Sequence, residues 1–185
     1  KDVSLMEGAS IHADLSFKCL SRPYTAHYKN ITVTSSSGTK VYKYTYPYKY
    51  GFTTMTDNLI ENTFMKDVPM KITIHGPASS TSPAVPNPVI SLHYANVDDS
   101  GTVTAGDQYA EILFSDISIP YGEELVIDAN QYLIYQKNGT TNVKTNKYDN
   151  TDKANDSFLF AKTGYSLIYM TSSSSSTDMS MDVEY

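Results

Sequence analysis

Four acidic residues, Asp116, Glu123, Glu124 and Asp128, fall in the stretch "DISIPYGEELVID". Cleaving a glycosidic bond needs two carboxyl groups facing each other across a cleft, about 5 to 10 Å apart. Glu123 and Glu124 stand beside a turn, where charge serves solvation alone, and Asp98 and Asp99 occupy the turn "DDSG" for the same reason. That turn also lacks the ligand spacing of a calcium loop. The four histidines, His12, His27, His75 and His93, form no HxxxH or HxH pair, so metal-ligand spacing is missing. His75 and His93 lie in segments able to become neighbouring strands, as satisfied or exposed strand histidines. The single cysteine, Cys19, excludes a disulfide within the chain and a cysteine-rich zinc site. A buried, unreactive thiol is expected; a thiolate nucleophile would need a base such as His27, which nothing in the sequence positions. There is no GxSxG, HExxH, phosphate loop or dinucleotide fingerprint. Asn30, Asn138 and Asn155 match the N-glycosylation pattern, which arises by chance in a chain this rich in Asn, Ser and Thr.

The remaining chemistry-bearing pattern is aromatic. Tyrosine occurs 16 times and tryptophan not at all, and "VYKYTYPYKYGF" at 41 to 52 places Tyr42, Tyr44, Tyr46, Tyr48 and Tyr50 at every second position. On a strand these rings share one face. Pro47 cannot donate to a sheet ladder, so such a strand is an edge or breaks there. A ring row serves packing or an interface, since tyrosine brings apolar area and a hydroxyl at little rotamer cost. It also serves sugar stacking, with Lys43, Lys49 and Asn58 near enough to hydrogen-bond. Sugar platforms use one to three rings on a concave face, so five in line favour an interface or packing role.

The elements that position these residues are strands. The chain has 185 residues, 40% hydrophobic and 18% charged, which fits one folded domain, alone or with a smaller appendage. A net charge of -6 and no basic stripe argue against nucleic acid. No apolar run of about 18 residues suggests a membrane span, and no signal peptide precedes the first strand. A start on Lys1 is read as a piece of a longer chain.

Helical periodicity is nearly absent, and alternation is everywhere. "HADLSFKCL" alternates Ala13, Leu15, Phe17 and Cys19 against polar residues, and "ITVTSSSGTKVYKY" reads as a hairpin around Ser35 to Gly38. "VPMKITIHGP" sets Met70, Ile72 and Ile74 on one face, and Gly76-Pro77 stops it. "ASSTSPAVPNP" is a proline-rich loop and "VISLHYANV" a strand. "YAEILFSDISI" is apolar on both faces, which predicts a central strand. Asn138-Gly139 in "QYLIYQKNGTTNVKT" predicts a type I′ hairpin. "FLFAKTGYSLIYM" reads as strand, turn and strand, "SSSSST" as a flexible polar tip. "MSMDVEY" points Met179, Met181, Val183 and Tyr185 inward, as a strand inside a sheet. Many short strands with evenly spaced turns predict an all-β sandwich or barrel, with a soft boundary near residue 60.

The order of several loose motifs then resembles the distal tail proteins of phages with long non-contractile tails. These are "IENTFMKDVPMKITIHGPASS" with "NPVISL" (Asn62, Pro69, Ile72 to Ala78, Asn87 to Ile90), "YAEILFSDISIPYGEELVIDA", "NGTTN" and "FLFAKTGYSLI", with "LSFKCLSRPY" and "YTYPYKYGF" upstream. The resemblance runs from about Ala13 to Tyr185. It implies a galectin-like, jelly-roll antiparallel β-sandwich at 59–185, preceded at 1–58 by an extended linker and the end of a ring-forming region. Two departures stand out: the belt domain that closes the family's hexameric ring is largely missing, and "STSPAV" lengthens a loop. The family's role is structural, at the virion tail tip, after synthesis in the bacterial host cytoplasm. Its ring connects the tail tube to the tail-tip hub and receptor-binding proteins. The resemblance implies no enzyme activity, no catalytic residues and no cofactor, beside the expectations of no metal, no nucleic acid and no membrane drawn from spacing, charge and apolar runs above. The alternative reading is a carbohydrate-binding module contacting host cell-wall polysaccharide.

Overall fold

The computed structural model describes residues 28–33, 58–154, 158–173 and 179–185. The strand expected at Ala13 to Cys19, the hairpin around Ser35 to Gly38, the tyrosine row and most of "SSSSST" lie outside them.

The strands are β1 (Tyr28–Val33), β2 (Leu59–Asn62), β3 (Val68–Pro69), β4 (Lys71–His75), β5 (Val85–Pro86), β6 (Val89–Val97) and β7 (Val103–Leu113). They continue with β8 (Ser118–Ile119), β9 (Glu123–Asp128), β10 (Leu133–Asn138), β11 (Lys144–Asn146), β12 (Phe160–Ala161), β13 (Gly164–Thr171) and β14 (Met179–Glu184). A 3-10 turn at Tyr148–Asn150 is the one helical element among the described residues. A six-stranded sheet runs β1-β14-β4-β9-β10-β11 and a four-stranded sheet runs β2-β13-β6-β7, with two-stranded pairs β12-β3 and β5-β8 at the margins. Every strand pairing among the described residues is antiparallel. The protein is an all-β, galectin-like antiparallel sandwich.

Period-two alternation explains the layers, because a strand between core and solvent must be apolar on one side only. On β4, Ile72 and Ile74 are buried and Lys71, Thr73 and His75 half-buried; on β14, Met179, Met181 and Val183 are buried between half-buried Ser180, Asp182 and Glu184. Their register sets Ile72 beside Val183 and Ile127, and Ile74 beside Met181 and Leu125. Facing them from the four-stranded sheet are Ile60, Ile90, Leu92, Ile112, Ile168 and Met170, in one continuous apolar cluster. The C-terminal strand lies inside its sheet, between β1 and β4, as its alternation predicted. β1, from upstream of residue 59, is hydrogen-bonded into the same sheet and adds Ile31 to the core.

Three expectations change. "YAEILFSDISI" is not one central strand: β7 ends at Leu113, and among the described residues it is the edge of its sheet. Its second apolar set has another cause. Asp116 adopts φ 56, the chain leaves the sheet, and Ile117 and Ile119 enter the core from the connection to β9. The Asn138-Gly139 hairpin is also not a two-residue type I′ turn. Asn138 N–H donates to Val143 O (3.1 Å), and the left-handed residue is Asn142 (φ 56). The Asn138 side-chain carbonyl accepts from the N–H of Thr140 (3.0 Å) and Thr141 (2.9 Å), an Asx cap that widens the loop. Gly139 is needed for proximity: its N–H donates to Gly122 O at 2.7 Å, and a Cβ there would lie 2.7 Å from that oxygen. Finally, the proline-rich loop is not purely loop, since Val85 pairs with Ile119 and is fully buried. The "STSPAV" segment is therefore anchored to the sandwich at its last residue.

Candidate functional site

Of the four acidic residues, Glu123, Glu124 and Asp128 lie on β9, and Asp116 lies in the connection between β7 and β8. Glu123 and Glu124 are neighbours on β9 and point to opposite faces. Glu123 accepts from Gln136 Nε2 (2.5 Å) and Asn138 Nδ2 (3.2 Å). Glu124 pairs with Lys137 Nζ (3.7 Å) and lies 3.5 Å from His75 Nδ1. Asp128 is buried and caps the β9–β10 turn, accepting from the N–H of Asn130 and Gln131 (both 3.0 Å). Asp98 does the same for its turn, accepting from the N–H of Ser100 (2.9 Å) and Thr102 (2.8 Å). Glu123, Glu124, Asp128 and Asp98 are thus engaged in cross-strand and capping contacts with the protein's own donors.

The histidines also separate. His75 lies on β4 and His93 on β6, in different sheets. His93 packs edge-on against Tyr169, with ring centres 5.0 Å apart. His75 joins a polar ladder on the outer face of the six-stranded sheet, its Nε2 2.9 Å from Asp182 Oδ2. Asn30 Nδ2 donates to Asp182 Oδ1 (2.7 Å), and Lys71 pairs with Glu184 (2.8 Å). Burial works to raise the Asp182 pKa, but hydrogen bonds from Tyr28, Asn30 and His75 outweigh it and hold the carboxyl below its ordinary value. The Tyr28 hydroxyl moves up in turn, first through its hydrogen bond to Asp182. A carboxylate depressed in the folded state adds stability above its unfolded pKa and loses it as pH falls through the folded one. The melting temperature of Asp182→Asn is therefore expected below that of the parent at neutral pH, with the gap closing below about pH 4. A gap unchanged down to acid pH would show that the ladder does not act through this charge.

His12, His27, Cys19, Asn155 and the row Tyr42, Tyr44, Tyr46, Tyr48 and Tyr50 lie outside the described residues. The side-chain amides of Asn30 and Asn138 are both engaged within the sandwich. Among the described residues no three His, Cys, Asp or Glu side chains gather as metal ligands would, and no helix is long and apolar enough to cross a membrane.

What the fold does assemble is a pair of depressions on the two faces of β10–β11, the last strands of the six-stranded sheet among the described residues. One is polar, about 420 Å³, lined by Glu123, Gln136, Asn138, Thr141, Val143, Thr145 and Lys147. The other is aromatic, about 640 Å³, lined by Tyr132, Leu133, Ile134, Tyr135, Lys144, Asn146, Tyr148 and Phe158. Tyr132 stands edge-on to Phe158, with centres 5.4 Å apart at 84°, and Tyr148 lies nearly parallel to Phe158 at 6.1 Å and 18°. Lys144 Nζ sits 4.4 Å from the Tyr135 ring centre, and Lys153 Nζ 3.4 Å from that of Tyr148. Sequence reasoning missed this cluster because its rings come from a strand, a tight turn and two connections. The one local signal was "NQYLIY", with a bulky residue where a hairpin turn favours Gly or Asn.

The class defined by these observations is an antiparallel, galectin-like β-sandwich with an aromatic groove at one sheet edge. No protein-family model matches the chain, and no curated protein matches it at a significant level. Among solved structures it overlaps two of the phage P2 baseplate in its activated conformation, one with Ca and one with Sr. Identity is 14% and 13%, the overlap covers 86% of this chain and 52% and 53% of the other chains, and the TM-score is 0.34 in both. The chain thus spans about half the length of the chains it overlaps.

Proposed function

We propose that this chain is a structural, non-enzymatic module of a phage tail tip, which holds other tail proteins through protein–protein contacts. The observation that carries the reading is where the family-like motifs fall in the fold. Asn62 binds three backbone groups, Gly76 admits a close backbone approach, the Asn87 side-chain carbonyl accepts from Ile117 N–H (3.0 Å), and Gly122 (φ 75) and Gly164 (φ 95) make turns. The resemblance therefore rests on residues that lock a rigid sandwich, the property a mounting module needs. In this reading Tyr42 to Tyr50 dock the module on a neighbouring subunit or on the sandwich itself, in a six-fold ring formed by the full-length protein.

Electron microscopy of the full-length protein mixed with tail components tests this. A six-fold ring with the sandwich at its periphery is expected, lost when the five tyrosines of the row are replaced by alanine. A dispersed monomer that never assembles with tail components would overturn the reading.

A further inference from the structure

We propose that the aromatic groove on the outer face of β10–β11 is a glycan-binding site that takes a pyranose ring against Tyr132. This inference does not depend on the tail-tip reading.

The first argument is strain. Tyr132 adopts φ 57 in the β9–β10 turn, a conformation that a bulky residue rarely takes and glycine takes freely. A strained residue kept in place is a pointer to function. The residue gains little burial from this position, since it remains 65% exposed. What it gains is a perpendicular stance against Phe158, which makes the corner of a groove whose other wall is the near-parallel Tyr148.

The second argument is size. A volume of about 640 Å³ is that of a small-ligand pocket.

The third is polar equipment. Sugars need a ring face for their C–H groups and donors for their hydroxyls. Asn146 lies opposite Tyr135 and lines the groove, and its Oδ1 accepts from Tyr148 N–H (2.9 Å), so its amide is a polar group at the opening. Lys144 offers an ammonium over the Tyr135 ring, beside the same opening.

The test is an amide-resonance titration of the whole chain with maltose, cellobiose, N,N′-diacetylchitobiose and digalacturonic acid at millimolar concentrations. At least one is expected to shift residues of β10, β11 and the 3-10 turn saturably. A response to a neutral sugar marks stacking as the leading contact; a response to digalacturonic acid that salt weakens marks Lys144. Tyr132→Gly is the decisive variant, because glycine suits φ 57 and the turn keeps its shape. It is expected to melt at the same temperature or higher while binding about tenfold weaker, the loss of one anchoring ring. No response to any of the four sugars, or binding unchanged in Tyr132→Gly, overturns the proposal. So does a photo-crosslinker at position 132 that captures a tail protein while the sugars leave the groove untouched.

Discussion

Gly76→Ala is expected to be the most damaging single methyl that can be added among the described glycines. A Cβ at Gly76 would lie 1.9 Å from the carbonyl oxygen of Pro120 and 2.7 Å from its carbon, both backbone atoms. Neither can swing away like a side-chain tip. The Pro120 oxygen is held by Glu123 N–H (3.1 Å), which closes the turn into β9, and Gly76 N–H donates to Glu123 O (2.9 Å). Making room for the methyl breaks both bonds and pulls on Ile119, which is fully buried. Overpacking costs about 1–3 kcal/mol, and each lost hydrogen bond about 1 kcal/mol more. A sum of roughly 3–5 kcal/mol is a large share of the roughly 5–15 kcal/mol that holds a domain together. For a chain of this size the melting temperature should fall on the order of 10 °C. Two other glycines grade the effect. At Gly139 the added Cβ meets Gly122 O at 2.7 Å, a milder clash; at Gly101 it meets nothing, and only φ 81 resists it. The expected order of loss is Gly76→Ala, then Gly139→Ala, then Gly101→Ala. Equal melting temperatures for Gly76→Ala and the parent would show that the 120–123 turn is free to move.

The same glycine shows what can be read from a sequence. Gly76-Pro77 is legible as the end of a strand, because chain termination by Gly and Pro is local. The approach of Pro120 is not, because it depends on where a turn more than forty residues away comes to rest. Alternation on β4 and β14 was legible for the same local reason: burial on one face is written at every second residue. β7 misled because Ile117 and Ile119 continue the apolar pattern after the strand has ended at Leu113. Gly139 was rightly marked as special and wrongly explained: its use is contact with Gly122, not a positive φ. The candidate site was the least legible part. Tyr132, Tyr148 and Phe158 have no shared period or motif, and only the folding of β10–β11 beside the connection to β12 brings their rings together. The regular tyrosine row, Tyr42 to Tyr50, lies outside the described residues.

Asn62→Ala is expected to be the second large loss, and Asn62→Asp a larger one at neutral pH. Asn62 is buried at the end of β2, and its amide makes three hydrogen bonds, all to backbone groups. Its Nδ2 donates to Lys66 O (3.0 Å) and Ala161 O (2.9 Å), and its Oδ1 accepts from Phe64 N–H (2.9 Å). One side chain thereby closes the loop that follows β2 and ties it to β12. Alanine leaves those three groups without their partner, at roughly 2–4 kcal/mol once some find water. Aspartate keeps the acceptor for Phe64 but turns an oxygen toward two carbonyls and buries a charge, which costs more than losing the bonds. The two variants separate by pH. Repulsion from two carbonyls and desolvation both raise the folded-state pKa of the new carboxyl above its unfolded value. The protonated form, which can donate one of the lost bonds, is then favoured in the fold, so the destabilisation is full above that raised pKa and shrinks as pH falls through it. Thermal melts from neutral to mildly acidic pH should therefore show Asn62→Asp gaining on Asn62→Ala. Parallel pH profiles would show that the loop after β2 opens to water, and that Asn62 does not clamp it.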